Sequence, residues 1–192
     1  MIDALLQKKE IPSSARITYK ALMSVATVAL AVITPQLVHS LFGNTGGIKW
    51  LPMYYPILIG GCILGSKYGS VIGFISPIVS YIITTQVGNA MPSATRLPYM
   101  MVELTVFATV SGCFTKKITK SALWAFPAVI MSQIIGRCAF AGMAAILQKY
   151  VPLSLNTVLG QIKVGLPGQI LQLVLAPIII ILVRKQLIKE EK

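Results

Sequence analysis

Residues 21–42 run 22 positions with His39 as the sole ionisable side chain, and residues 166–183 run 18 positions with none. A helix rising about 1.5 Å per residue needs roughly 20 apolar positions to cross a hydrocarbon core about 30 Å thick. A helix at the surface of a soluble domain keeps a polar face, and these runs offer none. Charge is scarce elsewhere too: 11% of the 192 residues are charged and 55% are hydrophobic, against about 25% charged in an ordinary soluble domain. The chain therefore reads as an all-α integral membrane protein.

Glycine, proline and polar clusters divide it into six apolar segments, at about residues 17–42, 52–65, 69–86, 97–115, 123–147 and 159–187, forming a single transmembrane domain. Gly43-Asn44-Thr45-Gly46-Gly47 predicts a first outer loop. Residues 87–96, with Asn89, Pro92 and Ser93, predict a second, and Pro152, Ser154 and Asn156 mark a third. The second and third segments flank Gly65-Ser66-Lys67-Tyr68-Gly69 and are short for a perpendicular span, which predicts tilting, bending or incomplete crossing. The sixth is expected to loosen at Gly165-Leu166-Pro167-Gly168.

The net charge of +12 is distributed unevenly along this pattern. With the N-terminus inside, the inner segments hold Lys8, Lys9, Arg16, Lys20, Lys67, Lys116, Lys117, Lys120, Arg184, Lys185, Lys189 and Lys192, which is 12. The outer segments hold Lys49, Arg96, Lys149 and Lys163, which is 4, and Arg137 alone lies within a span. This asymmetry predicts that both termini are cytoplasmic and the protein multi-pass in the plasma membrane. It also argues against nucleic acid as a partner, which would call for a basic stripe with aromatics on a soluble surface.

Other classes lose ground on the same page. Cys62, Cys113 and Cys138 sit in apolar segments without C-x-x-C spacing and read as small buried hydrophobes. The first 20 residues carry Lys8, Lys9, Glu10, Arg16 and Lys20 with no apolar core before a cleavage site, so the first apolar run is expected to be retained. The two halves share no spacing of Pro, Gly or charge, so an inverted repeat is not evident. A Walker sequence is missing as well, so any nucleotide energy would come from another polypeptide. His39 is the only histidine and has no partner at ligand spacing, so neither a metal nor a cofactor site is predicted.

Ionisable groups within a membrane are costly and tend to mark function or a buried pair. Glu103 falls about 9 Å from the outer end of the fourth segment, and Arg137 about 9 Å below the outer surface on the fifth. Gln133 is one turn from Arg137, Gln169 and Gln172 reach a comparable depth on the sixth segment, and Gln36 and His39 flank that level on the first. Two readings stand side by side. Glu103 and Arg137 either neutralise each other and staple two helices, or belong to an outward-facing polar pocket with the neighbouring amides. Trp50, Met53, Tyr54, Tyr55, Met91, Tyr99, Met100 and Met101 would give such a pocket apolar walls, with Asn89 at its mouth. Trp50, Tyr54 and Tyr55 fit an interfacial aromatic belt equally well.

Gly60 and Gly61, then Gly65, Gly69 and Gly73, recur at four-residue steps, a spacing that lets helix backbones approach closely. With Leu51-Pro52-Met53-Tyr54-Tyr55-Pro56, Gly65-Ser66-Lys67-Tyr68-Gly69, Ser76-Pro77, residues 97–104, Gln133-Ile134-Ile135-Gly136-Arg137 and Gly165-Leu166-Pro167-Gly168, the chain resembles the substrate-binding (S) components of energy-coupling factor transporters. The resemblance covers nearly its whole length and is closest to the branch of pantothenate, cobalamin and hydroxymethylpyrimidine carriers. It implies high-affinity vitamin capture, toppling in the membrane, and partnership with a transmembrane coupling protein and two cytoplasmic ATPase subunits. It further implies a gating first loop over residues 43–51 and a small-residue docking face on the first helix, for which Thr27 and Ala31 are the nearest pair here. Arg137 would favour a carboxylate ligand such as pantothenate, provided Glu103 does not already occupy it. The chain itself is then not an enzyme. A stand-alone secondary transporter of a small polar metabolite and an intramembrane enzyme are the alternatives from other classes.

Overall fold

A computed structural model describes residues 1, 2, 6, 11–88, 90–147 and 155–189, which are helical with short connections and contain no strand. Asn89, most of the third outer loop, Lys8, Lys9, Lys149 and Lys192 lie outside the described residues.

Helix α1, Ser13–Phe42, begins after Pro12 and ends at Gly43, whose φ of 68° turns the chain while its N–H donates to the His39 carbonyl. Only 17% of its apolar window is buried. Leu22, Val25, Leu30, Ile33, Leu37 and Leu41 stand exposed along it. Aliphatic surface on this scale suits hydrocarbon rather than water.

The next segment differs from expectation. Residues 43–51 are not an open loop: Asn44–Trp50 forms helix α2, folded back on the end of α1. Its glycines serve close packing, since a Cβ on Gly46 would stand 2.8 Å from Phe42 Cβ and one on Gly47 would run into the His39 ring. Leu51, in the left-handed region at φ 50°, redirects the chain into α3, Tyr54–Leu64.

Helix α3 is apolar on every side and nearly all buried, the mark of a core helix. At 11 residues it spans about 16 Å, roughly half a hydrocarbon core. The five-residue break expected after it narrows to Gly65 alone, whose φ of 93° suits glycine, and Ser66–Gln86 forms helix α4. Helix α5, Leu97–Cys113, and the short α6, Thr115–Lys120, lead through a 3-10 turn at Ala122–Trp124 into α7, Ala125–Leu147.

The final segment expected at residues 159–187, with a loosening at Gly165-Leu166-Pro167-Gly168, is two helices, α8 (Leu155–Val164) and α9 (Leu166–Lys189), divided at Gly165. Pro167 has no N–H to offer the carbonyl four residues back, so the helix breaks there. Five helical stretches, Ser13–Phe42, Ser66–Gln86, Leu97–Lys120, Ala122–Ile146 and Leu166–Leu187, are long and apolar enough to cross a membrane, while Tyr54–Leu64 is shorter. This architecture is consistent with a multi-pass membrane protein.

The glycine spacing works as the sequence suggests. A Cβ on Gly69 would lie 2.7 Å from the Ala108 carbonyl oxygen, and one on Gly73 would overlap the Leu104 carbonyl, so α4 and α5 touch backbone to backbone. Gly60 receives Thr27 of α1, whose Cγ2 would lie 2.6 Å from an added Cβ. Thr27 and Ala31 are thus buried on the inner side of α1, with Thr27 against α3 at the base of an apolar groove lined also by Met23, Ala26 and Leu30.

One end of the bundle gathers basic groups. Lys20 lies over the Tyr68 ring at 5.2 Å and Lys117 over Trp124 at 4.4 Å. From the end of α9, Arg184 donates to the Ile118 and Thr119 carbonyls at 2.8 and 3.1 Å, capping α6.

Candidate functional site

At the opposite end a half-enclosed cavity of about 500 Å³ opens between α1, α2, α3, α4, α5, α7 and α8. Its polar side is a three-residue cluster. The Tyr54 hydroxyl donates to Glu103 Oε2 at 2.7 Å, and Arg137 Nη1 meets Glu103 Oε1 at 2.8 Å. The Arg137 guanidinium also lies over the Tyr54 ring, 5.3 Å from its centroid. Glu103 thus has a partner on each oxygen, and the pair brings a cation and an anion into the apolar interior together. Of the two readings open from sequence, pairing is what the side chains do, although all three residues remain on the cavity wall.

Apolar wall is supplied by Met53, Met91, Met100 and Phe140. His39 lines the cavity as well; its Nδ1 contacts the Gly43 carbonyl at 3.1 Å and so must donate, which turns Nε2 toward Gly47. The connection from α4 to α5 is fastened over the mouth. Ser80 and Thr84 hydroxyls donate to the Met91 carbonyl at 2.7 and 3.1 Å, and the Met91 N–H donates back to Thr84 Oγ1 at 2.8 Å.

The glutamines expected in the pocket form a separate network beside it. Gln133 Nε2 donates to the Gln169 carbonyl at 3.0 Å and to Gln172 Oε1 at 3.2 Å, while Gln172 Nε2 donates to the Leu51 carbonyl at 3.3 Å. None of the three lines the cavity. They tie α7 and α9 to the residue that turns the chain from α2 to α3, so they position the wall without forming it. Gly168 reinforces this: a Cβ there would stand 2.6 Å from the Lys49 carbonyl oxygen and 2.7 Å from the Trp50 carbonyl carbon.

Three aromatic expectations also move, Tyr55 to the wall of a separate apolar groove beside α1. Trp50 packs on Phe42 at 6.2 Å beneath the Lys49 ammonium, outside the cavity. Tyr99 is fully buried edge-on against Phe140, its hydroxyl without a hydrogen bond among the described residues. Asn89 lies outside the described residues, and Gln36 points away as an exposed side chain on α1.

Among the wall residues that sequence reasoning missed are Arg96 and Gln161. In the sequence Arg96, just before α5, reads as an outer-loop charge, and Gln161 falls on the sixth apolar segment. Among the described residues Arg96 has no ion pair and no side-chain hydrogen bond, and the buried Gln161 Nε2 has no partner. The signal for Arg96 was its place one residue before an apolar run that carries Pro98 at a helix start. Among the described residues no group of three His, Cys, Asp or Glu side chains could hold a metal ion.

Comparison with protein-family models, curated proteins and solved structures returns no match. The cavity therefore defines the site on its own geometry: an apolar chamber of small-molecule size with a few fixed polar groups, within a bundle whose outer surface is aliphatic.

Proposed function

We propose that this chain is the substrate-capture subunit of an ATP-driven importer of the energy-coupling factor type, binding a vitamin or vitamin precursor. The cavity carries this reading. Its volume of about 500 Å³ lies within the range for small-molecule sites and suits a compact vitamin rather than a corrinoid. The motif resemblance supports the family. A chain of this size without a nucleotide-binding sequence fits a division of labour, with two cytoplasmic ATPase subunits and a transmembrane coupling protein supplying the power stroke.

In this reading the five long helical stretches and the short α3 make six crossings, both termini are cytoplasmic and the membrane is the plasma membrane. Support comes from the basic cluster of Lys20, Lys67, Lys117 and Arg184 at the end away from the cavity. The cavity then opens outward, where a scavenged nutrient arrives. Helix α2, which closes over the end of α1, stands where the family's gating loop would, and toppling against the coupling protein would bring the cavity to the inner side.

The test is thermal unfolding of the purified full chain in detergent against a panel of B vitamins and their precursors. A ligand that binds only the folded state stabilises it by RT ln(1 + [L]/Kd), so one compound should raise Tm selectively. A flat response from well-folded protein overturns the capture reading. Uptake into vesicles lacking any ATPase would instead identify a stand-alone secondary transporter.

A further inference from the structure

Resting on that reading, we infer that the captured ligand is a monocarboxylic acid and that Arg96, not Arg137, takes its carboxylate. Charge within the cavity gives the first reason. Glu103 and Arg137 cancel at 2.8 Å, whereas Arg96 on the same wall has no ion pair among the described residues. Between residues 11 and 189 the sequence holds no carboxylate other than Glu103. The wall is left one positive charge in excess, half-buried where the cavity opens at the end of the bundle. A ligand with a single negative charge closes that balance. A dianionic phosphate monoester would overshoot it.

Hydrogen-bonding capacity gives the second reason. The charged acceptor on the wall is spent while a charged donor remains. Both Glu103 oxygens are occupied, and the Met91 carbonyl already receives the Ser80 hydroxyl. Among the described residues, the unspent donors include the five side-chain N–H groups of Arg96 and the buried amide of Gln161. A guanidinium fork matches a carboxylate in two parallel hydrogen bonds, and the Gln161 amide suits a carbonyl or hydroxyl further along the ligand. The backbone around Arg96 is fixed for this task, since its N–H donates to the Ser93 carbonyl at 2.9 Å and its carbonyl accepts from Met100 at 3.0 Å.

The experiment uses matched pairs that differ only in charge: pantothenate and pantothenol, nicotinate and nicotinamide, biotin and biotinamide. Pyridoxal phosphate and pyridoxal form the phosphate arm. Affinities are measured by calorimetry on the full chain in detergent, and on Arg96→Gln and Arg96→Lys, with each variant's ligand-free Tm as the folding control. One acid is expected to bind at least tenfold more tightly than its uncharged counterpart. Arg96→Gln should weaken that acid at least thirtyfold and erase its advantage, and Arg96→Lys should retain part of it. The inference is overturned if an uncharged member binds as well as its acid, if the phosphate arm is preferred, or if folded Arg96→Gln keeps the discrimination. The first and third of these outcomes leave vitamin capture standing. Silence across all pairs and the wider vitamin panel overturns the capture reading as well. Should Arg96→Gln fail to fold, the acid-against-neutral comparison on the unaltered chain decides alone.

Discussion

Arg137 on α7 meets Glu103 on α5 at 2.8 Å, with the Glu103 side chain 2% exposed and that of Arg137 15%. Two residues whose calculated depths matched in the sequence are thus partners, and the pair joins two helices that form the back of the cavity. Breaking a buried pair by removing one member leaves an uncompensated charge, at a cost of about 3–5 kcal/mol. Arg137→Met and Glu103→Gln should each lower Tm strongly, and the double variant should lose less than the two single losses added together. Thermal unfolding of all four proteins in one detergent checks this. Additive losses would mean that the residues do not depend on each other. A strong fall for Arg137→Met alone would also explain any loss of binding as damage to the wall.

Tyr54→Phe isolates the third member of the cluster. The change keeps the ring, its edge-on contact with Phe107 at 5.4 Å and its place under Arg137, and removes only the hydroxyl donated to Glu103. A hydrogen bond to a charged acceptor contributes about 1.5–3 kcal/mol, so Tm should fall by less than for Arg137→Met. Adding Tyr54→Phe to Glu103→Gln should cost little more, because its charged acceptor is gone. An equal penalty in both backgrounds would show that the hydroxyl acts elsewhere.

The glutamine network predicts a different phenotype from Arg96. Gln172→Leu removes the Leu51 carbonyl's tie to α9 and leaves it only the Tyr54 N–H at 3.1 Å, a loss of one hydrogen bond at about 0.5–1.5 kcal/mol. Leu51 sets the angle between α2 and α3, so its displacement should loosen the cavity for every ligand alike. Calorimetry should find acid and uncharged members of a pair weakened by the same factor. A selective loss of the acid would place Gln172 in direct contact with the ligand.

Periodicity carried the sequence far here, and it stopped at identifiable places. Glycines every fourth residue announced the backbone contact of α4 with α5 because nothing else fits at that separation. The shared depth of Glu103, Arg137 and the glutamines followed from helix rise. Depth does not say which neighbour a side chain faces, and so the glutamines, which bond one another beside the cavity, could not be told from residues lining it. The glycines at 46 and 47 read as a flexible loop, because Phe42 and the His39 ring, which require them, lie on another helix. Arg96 looked like any loop cation until the fold put it on a wall without a counter-charge.

Glycine contacts give a prediction that needs no ligand. Gly73→Ala would drive a methyl into the Leu104 backbone, which cannot yield as a side chain tip would, and overpacking of this kind costs about 1–3 kcal/mol. Gly142 on α7 has open space where its Cβ would go. There Ala should be neutral or stabilising by up to about 1 kcal/mol, since Ala favours helix over Gly. Tm values for the two variants should move apart. A parallel fall would contradict the close approach of α4 and α5.

The proposed orientation is open to direct labelling. Lys49, on α2 beside the cavity, and Lys117, in the basic cluster after α5, mark opposite ends of the bundle, so an impermeant reagent should reach only one of them in intact cells. The native Cys113 and Cys138 are exposed on the bundle and would react if reagent reached them, so the background is a chain with its three cysteines replaced by serine or alanine. In that background Lys49→Cys should label from outside and Lys117→Cys only after the membrane is permeabilised. Labelling at both positions in intact cells would indicate leakage or a protein that is not inserted. The reverse pattern would turn the cavity toward the cytoplasm, where a subunit dedicated to scavenging has nothing to capture, and would favour an exporter over an importer.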